Sequence, residues 1–248
     1  MRARPFLLLA DYDGTLVPIR SAPALARLDP ATRRLLRRLS QRRGVRLGLI
    51  SGRSLPELRG MVRVPGALYV GNHGLELQGP GVRFLHPQAR RAAPVLVRIA
   101  AMLRRVLRPI PGAWVESKRL SLSIHWRAIR RADRARFQRE VRGAVSPWVA
   151  SHRVRVTTGK RVVEIRPPVA WDKGAIVEWL MKRYRCPQGG VIYFGDDRTD
   201  EDAFRAVNRA GGISVFVGAP RAATAARWRV RGPRQVRNVL HRLEVRSA

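Results

Sequence analysis

The sequence predicts an α/β fold: a parallel sheet flanked by helices, with a smaller α+β domain inserted into it. Three observations carry this. Four short apolar runs each end in a polar or glycine-rich cluster, helical segments lie between them, and the middle of the chain changes to alternating strand patterns. At 248 residues the chain can form one large domain or two modest ones with real cores.

The first run, Phe6 to Ala10, ends at Asp11-Tyr12-Asp13-Gly14-Thr15. Val45 to Ile50 ends at Ser51-Gly52-Arg53, Ala67 to Val70 at Gly71-Asn72-His73-Gly74, and Val191 to Phe194 at Gly195-Asp196-Asp197. Continuous apolar runs of this length suit strands buried on both faces of a parallel sheet. Asp29-Pro30 reads as an N-cap with proline in the first turn, opening a helix to about Arg43 that Gly44 stops. Ser54-Leu55-Pro56-Glu57 has capping-box spacing and predicts a short helix. Asp172 can cap a helix from Lys173 to Tyr184, and a last helix begins near Thr199 and includes Phe204 and Val207. Ligands of open parallel sheets sit off the carboxyl ends of the strands, so the four polar clusters are expected to converge on one site.

After Gly79-Pro80-Gly81 the pattern changes. An amphipathic helix is expected over about 87–107, ended by Pro109 and Pro111, and a second over about 132–145. In the segment Trp114 to Trp126 the second half alternates like a half-exposed strand. Val154 to Val156 and Val162 to Ile165 flank Thr157-Thr158-Gly159-Lys160, a hairpin signal. Residues 81–168 therefore read as an inserted domain with an antiparallel sheet and helices, and 1–80 with 169–248 as the larger domain.

Fifty basic residues face seventeen acidic ones, a formal net charge of +33. A charge this high suggests a nucleic-acid or anionic-surface binder. The arginines, however, are dispersed from end to end among helix-forming neighbours, as in Arg33 to Leu39, which fits solvated faces better. Nucleic acid is therefore kept only as the rival partner. No stretch approaches the ~20 apolar residues of a membrane span, and the apolar start is too short for a signal peptide. The single cysteine, Cys186, permits no disulfide within the chain. The expectation is a cytoplasmic protein without a membrane partner.

The scarcity of acids makes their placement informative. Seven of the seventeen fall in two runs: Asp11 and Asp13, then Asp196, Asp197, Asp200, Glu201 and Asp202. A turn explains one Asp and the Gly of the first run, but not two aspartates flanking a tyrosine after a buried strand. One carboxylate as nucleophile and the next as general acid/base does explain them. A helix dipole accounts for Asp200 or Glu201 but not the whole second run. A hard cation such as Mg²⁺, which takes about six oxygen ligands, could sit among Asp11, the Asp13 carbonyl and Asp196. The Ser51 hydroxyl can hydrogen-bond a phosphoryl oxygen, and Lys173, one of four lysines, can neutralise phosphate charge.

Together the D-x-D-G-T run, Ser51, Lys173 and G-D-D-x-x-D resemble the four motifs of the haloacid-dehalogenase (HAD) phosphatase superfamily. Within it the chain resembles trehalose-6-phosphate phosphatases, through DYDGTLVPI at 11–19, SGR at 51–53, GNHGLE at 71–76, VESKRLSLSIHWR at 115–127, GKRVVEIRP at 159–167, WDKG at 171–174 and GDDRTDEDAF at 195–204. Trp126 stands where that family often has tyrosine.

The resemblance implies a Rossmann-like HAD core with an inserted cap that closes on the sugar. It implies Asp11 as the nucleophile forming an aspartyl-phosphate, Asp13 as general acid/base, and Mg²⁺ held by Asp11, Asp13 and Asp196. Ser51 and Lys173 would hold the phosphoryl oxygens, and Asp200 would orient the metal shell or Lys173. Glu116, Lys118, Lys160 and Glu164 in the cap, with Arg53, Asn72, His73 and Glu76 in the core, are the implied substrate contacts. The implied substrate is trehalose 6-phosphate, with trehalose-phosphate synthase as a candidate partner. Two readings stay open beside it: a HAD phosphatase for another sugar phosphate, of sucrose or glycosyl-phosphoglycerate type, and a basic nucleic-acid-binding protein on the same scaffold.

Overall fold

The computed structural model describes residues 5–20, 23–159, 161–219 and 223–246. The chain divides into two compact units, one of residues 1–84 and 171–248, the other of residues 85–170.

The larger unit opens with strand β1 (Phe6–Asp11), helix α1 (Pro30–Gln41), β2 (Val45–Ile50), α2 (Leu55–Val62), β3 (Leu68–Gly71), β4 (Glu76–Gly79) and β5 (Val82–Leu85). The smaller unit contributes α3 (Pro87–Leu107), β6 (Trp114–Ser117), β7 (Leu122–His125), α4 (Arg134–Ala150), β8 (Arg155–Gly159) and β9 (Val162–Arg166). The chain then returns to the larger unit with α5 (Lys173–Arg183), β10 (Val191–Gly195), α6 (Glu201–Arg209), β11 (Ile213–Val217), β12 (Trp228–Val230) and α7 (Pro233–Arg246).

Eight strands form the large sheet in the order β12-β11-β10-β1-β2-β3-β4-β5. Pairings from β12 through β3 are parallel, and β4 runs antiparallel to β3. β1 is central: its residues from Leu7 to Asp11 are all buried, because apolar layers cover both faces. Leu8, Ala10, Leu36, Leu47 and Phe194 pack on one side, and Leu7, Leu9, Ile176, Tyr193 and Phe204 on the other. From β1 the chain builds outward through β2 and β3 on one side, and after the insertion through β10 and β11 on the other. The strand order therefore reverses beside β1, which is where open α/β sheets place their ligands.

Local sequence accounts for the helix ends. Asp29 Oδ1 accepts from the Thr32 amide at 2.9 Å, Pro30 needs no amide partner in the first turn, and Gly44 takes the positive φ of 80° that ends the α1 region. Asp172 caps α5 through the Ala175 amide at 2.9 Å. Ser54 stands at the N-cap of α2, but no capping hydrogen bond forms from its side chain, and Glu57 turns to Arg53 instead. The expected capping box is thus replaced by an ion pair. A true reciprocal box occurs at Asp197 and Asp200, which start a short 3-10 turn before α6. That helix is not the last: β11, β12 and α7 follow it.

In the smaller unit, four antiparallel strands lie in the order β6-β7-β9-β8. The segment 114–126 holds two strands, not one, because Trp114 to Ser117 pairs back on Leu122 to His125. Leu122, Ile124 and Ile165 pack with Leu96, Ile99 and Leu103 of α3 and Phe137 and Val141 of α4 in a separate core. Among the described residues no helix is long and apolar enough to cross a membrane.

Candidate active site

Asp11 is the last residue of β1, paired in register with Ile50, the last residue of β2. Ser51 follows Ile50, Asn72 follows Gly71 at the end of β3, and Asp196 follows Gly195 at the end of β10. Parallel pairing thus puts the expected clusters at the same end of adjacent strands.

Asp11 is 5% exposed, and its carboxylate accepts a hydrogen bond from Lys173 Nζ at 2.7 Å. Lys173, in the first turn of α5, is 3% exposed and donates equally closely, at 2.7 Å, to Asp200 Oδ1. Burial opposes its charge, but the Asp11 and Asp200 carboxylates outweigh burial and hold the ammonium above the usual lysine range. For Asp11, burial is the largest influence and pushes its carboxyl well above the usual carboxylate range. Lys173 pulls the other way, and Asp200 and Asp196 add to the rise.

Asp200 is fully engaged. Oδ1 accepts from Lys173 and, at 2.6 Å, from the Tyr193 hydroxyl; Oδ2 accepts from the Asp196 and Asp197 amides at 3.1 and 3.0 Å. A carboxylate offers about four lone-pair positions, so Asp200 has none to spare. Burial, followed by Asp200, pushes the Tyr193 phenol well above its usual range and keeps it a donor. Tyr193 was not among the expected site residues; a tyrosine in an apolar strand gives no sign that its hydroxyl meets a carboxylate.

Asp11, Asp196 and Asp200 bring carboxylate oxygens within 4.8 Å of one another. Asp200 is already engaged, so Asp11 and Asp196 are the hard oxygen donors of this cluster left for a divalent cation such as Mg²⁺. Two glycines make room for this packing. Gly14 takes a φ of 92°, and a Cβ there would lie 2.0 Å from Asp196 Oδ2; a Cβ on Gly195 would lie 2.4 Å from Asp200 Cγ. Thr15 Oγ1 also reaches Asp196 Oδ1 at 3.4 Å.

Asp13 faces Arg53. Nε and Nη2 of the guanidinium each donate to one oxygen of its carboxylate at 2.7 Å, a bidentate pair. Arg53 also pairs with Glu57 and lies over the Tyr12 ring at 5.7 Å, while the Tyr12 hydroxyl donates to Ala26 O at 2.7 Å. Ser51, 1% exposed, accepts from the Arg53 amide through Oγ at 3.1 Å.

Asn72 and His73 both have left-handed backbones, with φ of 49° and 57°, and are followed by Gly74 at 104°. Consecutive residues in this region store strain that the surroundings must hold. The Asn72 side-chain amide donates to Glu76 Oε1 at 2.6 Å, the same oxygen accepts from the Leu55 amide at 2.9 Å, and Trp171 Nε1 donates to Gly74 O at 2.8 Å. Asn72 and Glu76 therefore fix the loop, and His73 packs where a Cβ on Gly52 would come within 2.5 Å of its ring.

The other expected residues lie in the smaller unit. Glu116, Ser123, Glu164 and Thr157 form one row across its sheet, as register partners on successive strands. Lys118 Nζ is 3.6 Å from Glu164 Oε1, Ser123 Oγ is 3.3 Å from the same oxygen, and the His125 ring donates to Glu116 Oε2 at 2.8 Å. Lys160 lies outside the described residues.

The fold is shared with a haloacid dehalogenase-like hydrolase from Bacteroides thetaiotaomicron, which superposes with a TM-score of 0.67 at 17% identity, covering 96% of this chain and 99% of that one. The trehalose-phosphatase family model matches residues 9–234, and the chain belongs to that family. It is 40% identical over 215 residues to a trehalose-phosphate phosphatase of Mycobacterium tuberculosis, over 84% of this chain and 53% of the relative, so it spans about half that protein's length. It is 31% identical to trehalose-phosphate phosphatase B of Arabidopsis thaliana, over 98% of this chain and 67% of the relative. The solved C-terminal domain of the Candida albicans trehalose-6-phosphate phosphatase superposes with a TM-score of 0.82 at 25% identity, covering 98% of this chain and 93% of that one.

Proposed function

We propose that the protein is a Mg²⁺-dependent phosphatase that hydrolyses trehalose 6-phosphate to trehalose and phosphate. The observation that carries this is the buried Asp11–Lys173–Asp200 chain at the end of the central strand, in a member of the trehalose-phosphatase family.

Asp11 attacks phosphorus in line and takes the phosphoryl group as an aspartyl-phosphate. Asp13 protonates the departing sugar oxygen, then takes a proton from the water that opens the acyl phosphate and returns Asp11. Lys173, held charged by Asp11 and Asp200, binds the phosphoryl oxygens as charge transfers to Asp11. The Ser51 hydroxyl donates to another of those oxygens. Mg²⁺, when bound by Asp11, the Asp13 carbonyl and Asp196, would offset the repulsion between phosphate and carboxylates. With all four of its lone-pair positions taken, Asp200 positions Lys173 and the Asp196 loop rather than reaching the metal. Arg53 orients Asp13, and Glu116, Lys118, Lys160 and Glu164 recognise sugar hydroxyls. Trehalose-phosphate synthase as the supplier of substrate rests on family membership alone.

Phosphate release across a panel of sugar phosphates, with Mg²⁺ and with chelator, tests this. Trehalose 6-phosphate should give the highest kcat/KM, and chelation should abolish turnover. Release from other sugar phosphates but none from trehalose 6-phosphate would overturn the substrate; undiminished release in chelator would overturn the metal.

A further inference from the structure

We infer that Trp114 is a specificity-determining residue, an aromatic platform for one face of a sugar ring; this rests on the sugar-phosphatase reading above. Trp114 begins β6, the edge strand of the smaller sheet, and its cross-strand partner is His125. The two rings stack with centroids 3.9 Å apart and planes 6° from parallel. The indole is nonetheless 47% exposed and stands outside the apolar core of its unit, which lies on the opposite face with Leu122, Ile124 and Ile165.

Strand alternation puts Trp114, Glu116, Ser123, His125 and Glu164 on one face of that sheet. His125 is held on one face by the indole and at its edge by Glu116 Oε2, 2.8 Å from its Nε2. The platform is thus backed by a ring that is itself pinned, which removes the indole's freedom before any ligand arrives. Beside it run two carboxylates, a serine hydroxyl and the Lys118 ammonium. A flat apolar surface next to closely spaced hydrogen-bonding groups matches the two characters of a pyranose. Its hydroxyls take the polar row, and its C–H face packs on the electron-rich indole.

The test compares Trp114→Ala and Trp114→Phe with the parent enzyme, on the sugar phosphate it hydrolyses best and on acetyl phosphate, which has no ring. In Trp114→Ala, KM for the sugar phosphate should rise about tenfold with kcat within about twofold. The rise should be specific to the sugar, and Trp114→Phe should recover most of it. An unchanged KM, or an equal loss on both substrates, overturns the platform. A parent enzyme that prefers a sugar phosphate other than trehalose 6-phosphate overturns the trehalose assignment alone, since the platform is then read on that sugar. Circular dichroism and Tm confirm that each variant is folded before its KM is counted.

Discussion

Arg53 grips Asp13 with two parallel hydrogen bonds of 2.7 Å across forty residues of sequence, and Glu57 holds the same guanidinium from the other side. The group proposed to shuttle the proton is therefore aimed by an arginine on the loop after the neighbouring strand. Lysine cannot reproduce that planar fork. Arg53→Lys should lower kcat about tenfold with KM within about twofold, measured by steady-state phosphate release. A fall in affinity with kcat unchanged would make Arg53 a substrate contact instead.

Asp11→Asn removes the proposed nucleophile but keeps an acceptor for Lys173. Turnover should fall at least about 1,000-fold while the thermal transition stays sharp. Mass spectrometry of acid-quenched parent enzyme should show a phosphoryl adduct on the peptide holding Asp11, absent from the variant.

Lys173→Met leaves Asp11 and Asp200 buried without their cation. Removing one member of a buried pair costs about 3–5 kcal/mol, so urea unfolding should show a loss in that range and Tm should fall by about 10 °C. Activity should vanish as well. A variant as stable as the parent would show that the carboxylates take up protons and need no lysine.

Gly14→Ala probes the packing of Asp196. Its positive φ and the 2.0 Å approach of Asp196 Oδ2 leave no space for a methyl group. The carboxylate must move, and Mg²⁺ affinity measured by titration calorimetry should drop more than about tenfold, with the far-ultraviolet spectrum unchanged. Gly143, around whose Cβ position nothing lies within 4 Å, is the control at which alanine should leave Mg²⁺ binding unaltered.

Asp29→Ala probes the cap of α1. Burial alone would raise the Asp29 carboxyl, but hydrogen bonds from Thr32 hold it below the usual range. A carboxylate depressed by folding stabilises the native state above its unfolded pKa and ceases to as pH falls through its folded one. The variant should lose about 1 kcal/mol at pH 7 in urea titrations. That difference should shrink as pH drops below about 4.

The parts of the fold legible in the sequence are those whose cause is local. β1, β2, β3 and β10 read as continuous apolar runs because they are buried on both faces, and Asp29, Pro30 and Asp172 mark helix starts by their own chemistry. β11 carries the same apolar signature but ends at Gly218 without a polar cluster, so a reading led by clusters passes over it. β12 is three residues between arginines, and α7 buries fully just Val236 and Leu240 among its described residues, with Val239 and Leu243 partly buried beside them. Pro80-Gly81 reads as a domain boundary, whereas it turns β4 into β5 at the edge of the large sheet.

In the site, residue types were legible and partnerships were not. Lys173 reads equally well as a solvated helical lysine; its burial depends on Asp11, 162 residues away in sequence. Arg53 reads as a substrate contact, and nothing in the sequence marks its pairing with Asp13, forty residues away. Glu76 resembles a substrate ligand, but one of its oxygens fixes Asn72 and Leu55.

The central position of β1 has a consequence for how the chain is born. Its partner on one side, β2, emerges from the ribosome soon after it, but β10 on the other side is made only after the whole of residues 85–170. Until then Leu7, Leu8 and Leu9 border an unsatisfied strand edge, while the intervening unit, contiguous in sequence and with its own core, can complete itself. Synthesis thus finishes the insertion first and the large sheet last. A nascent chain stalled near residue 170 should be the form most in need of a chaperone.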